Sequence, residues 1–186
     1  VGIKYLSTAT PSQGDDIASE GLVLGPAESV TDLSSMAEGC AKAATIDIQG
    51  WALATSGVDA TRAFAGCAGA ANITVADSLK GDALRASEIF AGAGAGTVSV
   101  TDSMTGDDTD ASALLEGSAA TDITVSGSLT GVSTNATRAC AGLAHASAIT
   151  VRASFTGGGS WEGLFEESFT DPALINARLS VLDCGD

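Results

Sequence analysis

Large side chains are what this chain is shortest of: aromatic residues make up 4% of its 186 positions. A thick globular core is thereby excluded, because Ala and Gly supply too little apolar area to offset the entropy of ordering a compact chain. Basic residues are also scarce, 8 Lys and Arg against 23 Asp and Glu, for a net charge of -15. Without basic patches the chain is not expected to track nucleic-acid phosphates or to dock on an anionic membrane surface. Histidine occurs once, at His145, and the 4 cysteines include no CxxC pair, which argues against a structural zinc site. No apolar run reaches about 18 residues, so no membrane-spanning helix is expected. Residues 1–16, VGIKYLSTATPSQGDD, lack the basic-then-apolar order of a signal peptide. Either a leader was removed ahead of Val1, or the protein uses no such route, as for a virus structural protein made in the host cytoplasm.

What the chain has in abundance is repetition. VDATRAFAGCAGAANITVADSLKGD begins at residue 58 and LRASEIFAGAGAGTVSVTDSMTGD at 84. TDASALLEGSAATDITVSGSLTG follows from 109 and TNATRACAGLAHASAITVRASFTGG from 134, with a variant copy, VTDLSSMAEGCAKAATIDIQGW, from 30. A period of about 25 residues is the mark of a solenoid, in which each coil stacks only on its neighbours. Such a stack manages with a thin core, since backbone ladders between coils satisfy the polar groups.

Each copy divides into three parts. Apolar residues at Ala60, Ala63, Phe64 and Cys67 are spaced three and four apart, which predicts one or two helical turns facing inward. The Gly two residues after the Phe (Gly66 in this copy) is placed to stop the turn in a left-handed conformation. A short alternating strand comes next: Ile46-Asp-Ile48, Ile73-Thr-Val75, Val98-Ser-Val100, Ile123-Thr-Val125 and Ile149-Thr-Val151. Period two sends each Ile/Val pair inward and the middle residue outward. The last part is a turn with Ser, a large apolar residue and Gly: SLKG, SMTG, SLTG, SFTG. Strand starts fall 27, 25, 25 and 26 residues apart, and the register extends back to Leu22-Val-Leu24 and forward to Leu179-Ser-Val181. Seven such rungs at roughly 4.8 Å give a stack of about 29 Å. Parallel crossovers favour a right-handed coil.

Open sheet edges invite uncontrolled pairing. Residues 1–26, with Val1, Ile3 and Tyr5 alternating, are expected to cap the N-terminal end of a solenoid over 27–158. Residues 159–186, with Trp161, Leu164, Phe165 and Phe169 ahead of Pro172, are expected to cap the other end. An exposed docking patch is the competing reading of those aromatics.

The first copy carries a family likeness. Val30-Thr-Asp-Leu-Ser-Ser-Met-Ala-Glu-Gly-Cys40, followed by Ile46-Asp-Ile48-Gln-Gly-Trp51, resembles the repeat of BspA-type leucine-rich-repeat surface proteins of bacteria. Phe64-Ala-Gly-Cys67 and Phe90-Ala-Gly92 repeat its F-x-G-C element. The resemblance covers about residues 27–158. It implies an α/β solenoid of leucine-rich-repeat type on a cell surface or in a phage-encoded protein, some members taking part in adhesion.

Several residues are candidates for function. The outward strand positions Asp47, Thr74, Ser99, Thr124 and Thr150 form a ladder, and Gln49, Ala76, Thr101, Ser126 and Arg152 a second file. A regular polar surface of this kind suits a repetitive ligand such as a glycan or the ice lattice. Asp47, Ser99 and Arg152 interrupt the identical Thr file that ice requires, and ordinary solvent-face usage explains the same residues. Asp107, Asp108 and Asp110 offer oxygen ligands for Ca²⁺, without EF-hand spacing; a solvated turn is the simpler reading. Cys40 and Cys67 occupy equivalent places in adjacent coils, within reach of a disulfide, though buried free thiols are the commoner use of such positions. Cys140 sits in the Phe64 slot and reads as core filling. Polysaccharide-cleaving enzymes with parallel coils need converging acids or a basic residue, and here single charges are scattered. The expectation is a non-enzymatic surface or virion module contacting protein, glycan or sister subunits, with no nucleic acid and no membrane insertion.

Overall fold

The computed structural model describes residues 22–23, 30–51, 55–94 and 96–168. It is a parallel β-solenoid of about four turns with about 25 residues per turn. The strands are β1 (Leu22–Val23), β2 (Thr45–Gln49), β3 (Asn72–Ala76), β4 (Thr97–Thr101), β5 (Asp122–Ser126), β6 (Thr134–Asn135), β7 (Ala148–Arg152) and β8 (Gly159–Ser160). Six of them form one parallel sheet in the order β1-β2-β3-β4-β5-β7, while β6 pairs with β8. Ile46, Ile73, Val98, Ile123 and Ile149 are partners in succession, so the predicted register is the observed one. The backward extension is correct as well, since Leu22 pairs with Ile46. Val1, Ile3, Tyr5, Phe169, Pro172 and the strand expected at Leu179–Val181 lie outside the described residues.

The helical turns do not form: among the described residues there is no helix. The segment 60–67 shows why. The N–H groups of Ala60, Arg62, Phe64 and Gly66 donate to the next coil's Arg85, Ser87, Ile89 and Ala91 carbonyls, at 2.7–3.0 Å. The alternate N–H groups of Ala63, Ala65 and Cys67 close turns onto Ala60, Arg62 and Phe64, three residues back. An α-helix would need those donors to reach four residues back within one segment. The neighbouring coil captures every second one instead, and Arg62 sits at φ 56°, a left-handed value that no α-helix interior contains. Ser35, Glu88, Ala113 and Arg138 repeat this conformation in the other coils. Spacings of three and four still bury the expected side chains: Ala60, Ala63, Phe64 and Cys67 are all inside.

The core is a narrow strip between these turns and the sheet. On each five-residue strand the Ile or Val pair is buried and the middle residue half-exposed. Phe64 stacks on Phe90, ring centroids 5.7 Å apart and planes 15° from parallel. Equivalent backbone bonds place Leu115 and then Cys140 in the following coils of the same file, as read for Cys140 from the sequence. Coil-to-coil bonding continues past residue 158: Arg138, Cys140 and Gly142 donate to Glu162, Leu164 and Glu166. Trp161 packs edge-on against Phe155 at 5.3 Å, and Trp161, Leu164 and Phe165 are half-buried against the core.

The turn after each strand is held by a buried serine file. The N–H groups of Ser78, Ser103 and Ser128 each donate to the hydroxyl of the next serine in line, Ser103, Ser128 and Ser154, at 3.1 Å. Each hydroxyl donates in turn to the carbonyl two residues before it, at 2.7–2.9 Å. Trp51, which stands in the serine's place in the first coil, starts the file by donating its N–H to Ser78 Oγ at 3.0 Å. The residue after each serine (Leu79, Met104, Leu129, Phe155) is large, buried and left-handed, with φ of 54–59°. Such a conformation costs roughly 1–2 kcal/mol for an L-residue; the serine bonds and the burial of the side chain offset it. Beside this turn the backbones approach closely, and a Cβ on Gly131 would lie 1.9 Å from the Gly106 carbonyl oxygen.

Two substitutions test this packing. Phe90→Ala should cost about 3–5 kcal/mol in a denaturant titration, because the ring is fully enclosed. Gly131→Ala should lower the melting temperature markedly although it adds a single methyl group; an unchanged value would mean that the coils are not in van der Waals contact there.

Candidate recognition face

The outward side of the main sheet is built by the alternation of the strands. Asp47, Thr74, Ser99, Thr124 and Thr150 are register partners from β2 to β7, and all five are half-exposed. Gln49, Ala76, Thr101, Ser126 and Arg152 form the parallel file two residues on. One rung follows the next at the sheet spacing of roughly 4.8 Å. The middle of the face therefore offers hydroxyls, donor and acceptor alike, with charge at its ends. At the first rung Gln49 Nε2 donates to Asp47 Oδ1 at 2.7 Å, and at the last Arg152 is exposed. This surface can hydrogen-bond to a repeating polar ligand; it brings together no acid–base pair.

The acidic trio separates. Asp107 Oδ1 accepts the Val132 N–H at 2.8 Å, while the Asp107 N–H donates to Asp82 Oδ1 at 3.0 Å. Asp110 Oδ1 accepts from the Ser112 N–H and from Asn135 Nδ2, both at 3.1 Å. Asp108 is exposed on a left-handed residue of the turn. The carboxylates at 107 and 110 thus tie coils together. No cluster of three or more His, Cys, Asp or Glu side chains suited to a metal occurs among the described residues. Asp107, Asp108 and Asp110 are accordingly not gathered around one point.

Cys40 and Cys67 are not joined: both thiols are free, Cys67 buried and Cys40 half-exposed. The Cys67 thiol donates to the Ala37 carbonyl at 3.2 Å and is pushed up to about 11, chiefly by burial and then by the neighbouring Cys40. Burial pushes the Cys140 thiol up to about 12. His145 lies exposed in a turn. Cys184 lies outside the described residues.

One arrangement went unread in the sequence. Arg62 bridges Glu38 of the coil before it (2.5 Å) and Glu88 of the coil after it. Arg138 likewise bridges Glu116 (2.7 Å) and Glu166. The sequence signal is present: Arg62, Glu88 and Arg138 share one repeat position, and Glu38, Glu116 and Glu166 share another three residues on. Scanning the copies slot by slot for opposite charges finds it.

Compared with models of protein families, with curated proteins and with solved structures, the chain matches none. No helix among the described residues is long and apolar enough to cross a membrane.

The triads generate a pH dependence. Glu38 is held below the ordinary glutamate value, first by the Arg62 hydrogen bond and then by Ser35, and Arg62 is raised in return. A lowered folded value means that the contribution is complete above the unfolded pKa, about 4.3 for Glu, and is lost as pH falls through the folded one. The stability difference between wild type and Arg62→Gln should therefore be present at pH 7 and shrink below about pH 4.3. Being exposed, the pair should also weaken with added salt. A difference independent of both pH and salt would show that Arg62 acts only through its aliphatic stem.

Proposed function

We propose that this solenoid is a non-enzymatic recognition module, displayed on a bacterial cell surface or a virus particle and working by adhesion or protein–protein contact. The observation that carries the reading is the in-register outward ladder of Asp47, Thr74, Ser99, Thr124 and Thr150. A rigid sheet presents these groups with their spacing fixed in advance, so a ligand of matching repeat binds without a further ordering cost on this side. A glycan chain and a protein surface both offer the complementary hydrogen-bonding groups; a sister subunit is a third such surface. The chain's negative charge suits neutral or basic partners and solubility at a crowded surface.

The likeness to BspA-type leucine-rich repeats belongs to the same proposal. Its support is the F-x-G-C element, in which Phe64 is buried, Gly66 is left-handed and Cys67 is buried. A right-handed coil completes the reading, on the general preference of parallel crossovers.

Cosedimentation with fixed bacterial cells, purified peptidoglycan and virions tests it. Wild type should pellet with at least one of these, and Thr74→Lys/Thr124→Lys should lose at least about tenfold in affinity, or roughly 1.4 kcal/mol, at an unchanged melting temperature. Equal retention of the double variant would remove the ladder from the binding surface. Release of new sugar ends from the peptidoglycan would replace the module with an enzyme.

A further inference from the structure

We propose that Cys40 and Cys67 are the two halves of an oxidant-triggered staple that cross-links adjacent coils of the solenoid. Both residues lie outside the strands of the sheet face, at the edge of the core.

The backbone places the two residues in the same slot of successive coils. Ala37 and Phe64 are equivalent donors, each passing its N–H to the following coil, to Ala63 at 2.8 Å and Ile89 at 2.9 Å. Gly39 and Gly66 are the next equivalent donors, reaching Ala65 and Ala91, both at 2.8 Å. A Cβ built on Gly66 would lie 3.7 Å from the Gly39 Cα, so the chain is in direct contact one residue before each cysteine. Cys40 and Cys67 then close the same turn, each donating its N–H three residues back, to Ala37 and Phe64. Stacked Cα positions lie about 5 Å apart, inside the range a disulfide spans. The thiol of Cys67 is aimed at the first coil, where it donates to the Ala37 carbonyl at 3.2 Å.

The rest of this file sets the pair apart. Equivalent turn closures put Ala93 and Ser118 in the same slot further along, Leu143 follows them with its N–H donating to Ser168 Oγ at 3.3 Å instead, and the thiol of Cys140 is sealed in the Phe64 file. Only the first two described coils carry facing sulfurs. Their exposures differ in a useful way. Cys40 is half-exposed and meets a soluble oxidant, while Cys67 is buried, and its raised pKa keeps it from reacting first.

With a small-molecule disulfide such as oxidised glutathione, the chemistry balances in two exchanges. The Cys40 thiolate attacks one glutathione sulfur, forming a mixed disulfide and expelling one glutathione thiolate. The Cys67 thiol gives up its proton and its sulfur attacks the Cys40 sulfur, expelling the second. Two protein thiols lose two electrons to the glutathione pair, and the two protons leave on the released thiols. The product ties together residues 27 apart and restricts the unfolded chain, so its expected sign is stabilising.

Trypsin makes the test unambiguous, because cleavage after Lys and Arg puts each cysteine on a peptide of its own: 5–42, 63–80, 139–152 and 179–186. The intact chain is incubated with oxidised glutathione, its remaining thiols are alkylated, and the digest is read by mass spectrometry. Peptides 5–42 and 63–80 should leave as one disulfide-linked species. The intact chain's melting temperature should rise and return to its starting value with dithiothreitol. Cys40→Ser, which leaves the buried Cys67 in place, should abolish the rise. Peptide 5–42 carrying a lasting glutathione adduct, linked to 179–186, or alkylated after oxidation would overturn the proposal.

Discussion

Every file in this molecule depends on one constraint: each coil must sit a single strand spacing above the last. The main sheet sets that spacing through parallel pairing, and everything outside the sheet has to meet it. The turn segments do so by sending alternate N–H groups to the next coil. The serine file does so with a side chain, each hydroxyl accepting from one coil while donating within its own. The Gly106–Gly131 contact does so by having no side chain at all. Polar groups are paired to the same rule: among the described residues no buried side-chain nitrogen or oxygen lacks a partner.

A spacing this short also limits what fills the interior. Consecutive coils cannot both place a bulky group everywhere, so files trade volume. Phe64 and Phe90 stack, then Leu115 and Cys140 follow in the same slot. Ala60, Ala86 and Ala111 line a file that ends on Trp161, where the described stack runs out. The scarcity of aromatic residues is thus a requirement of the architecture and not a weakness of the core.

How much of this the sequence discloses follows from which interactions are periodic within one copy. Strand register was legible because Ile/Val-x-Val recurs at the coil length, and alternation alone told inside from outside. The inward residues of the turns were legible as well, since Ala60, Ala63, Phe64 and Cys67 are apolar whatever the backbone does. The backbone itself was not. A spacing of three and four suits a helix and a chain of turns equally, and the decision lies with acceptors in another coil. The left-handed Arg62 and Glu88 give no local sign, being neither Gly nor Asn. The acidic residues show the same dependence on a neighbouring coil. Asp107 and Asp110 look like a cluster in one dimension, yet each is committed to a residue about one coil away, Val132 and Asn135. The Arg-centred triads leave no local sign either, because Arg62 meets Glu38 and Glu88 at separations of 24 and 26 residues.

The placement of those triads divides the stack. One clamp ties Glu38, Arg62 and Glu88 across successive segments, and the other ties Glu116, Arg138 and Glu166. Between Glu88 and Glu116 no ion pair crosses among the described residues, and on that face the join consists of backbone bonds such as Glu88 to Ser112 and Gly92 to Glu116. Under tension along the stack, the join between the Glu88 and Glu116 segments lacks a side-chain clamp on that face and relies on its backbone bonds alone.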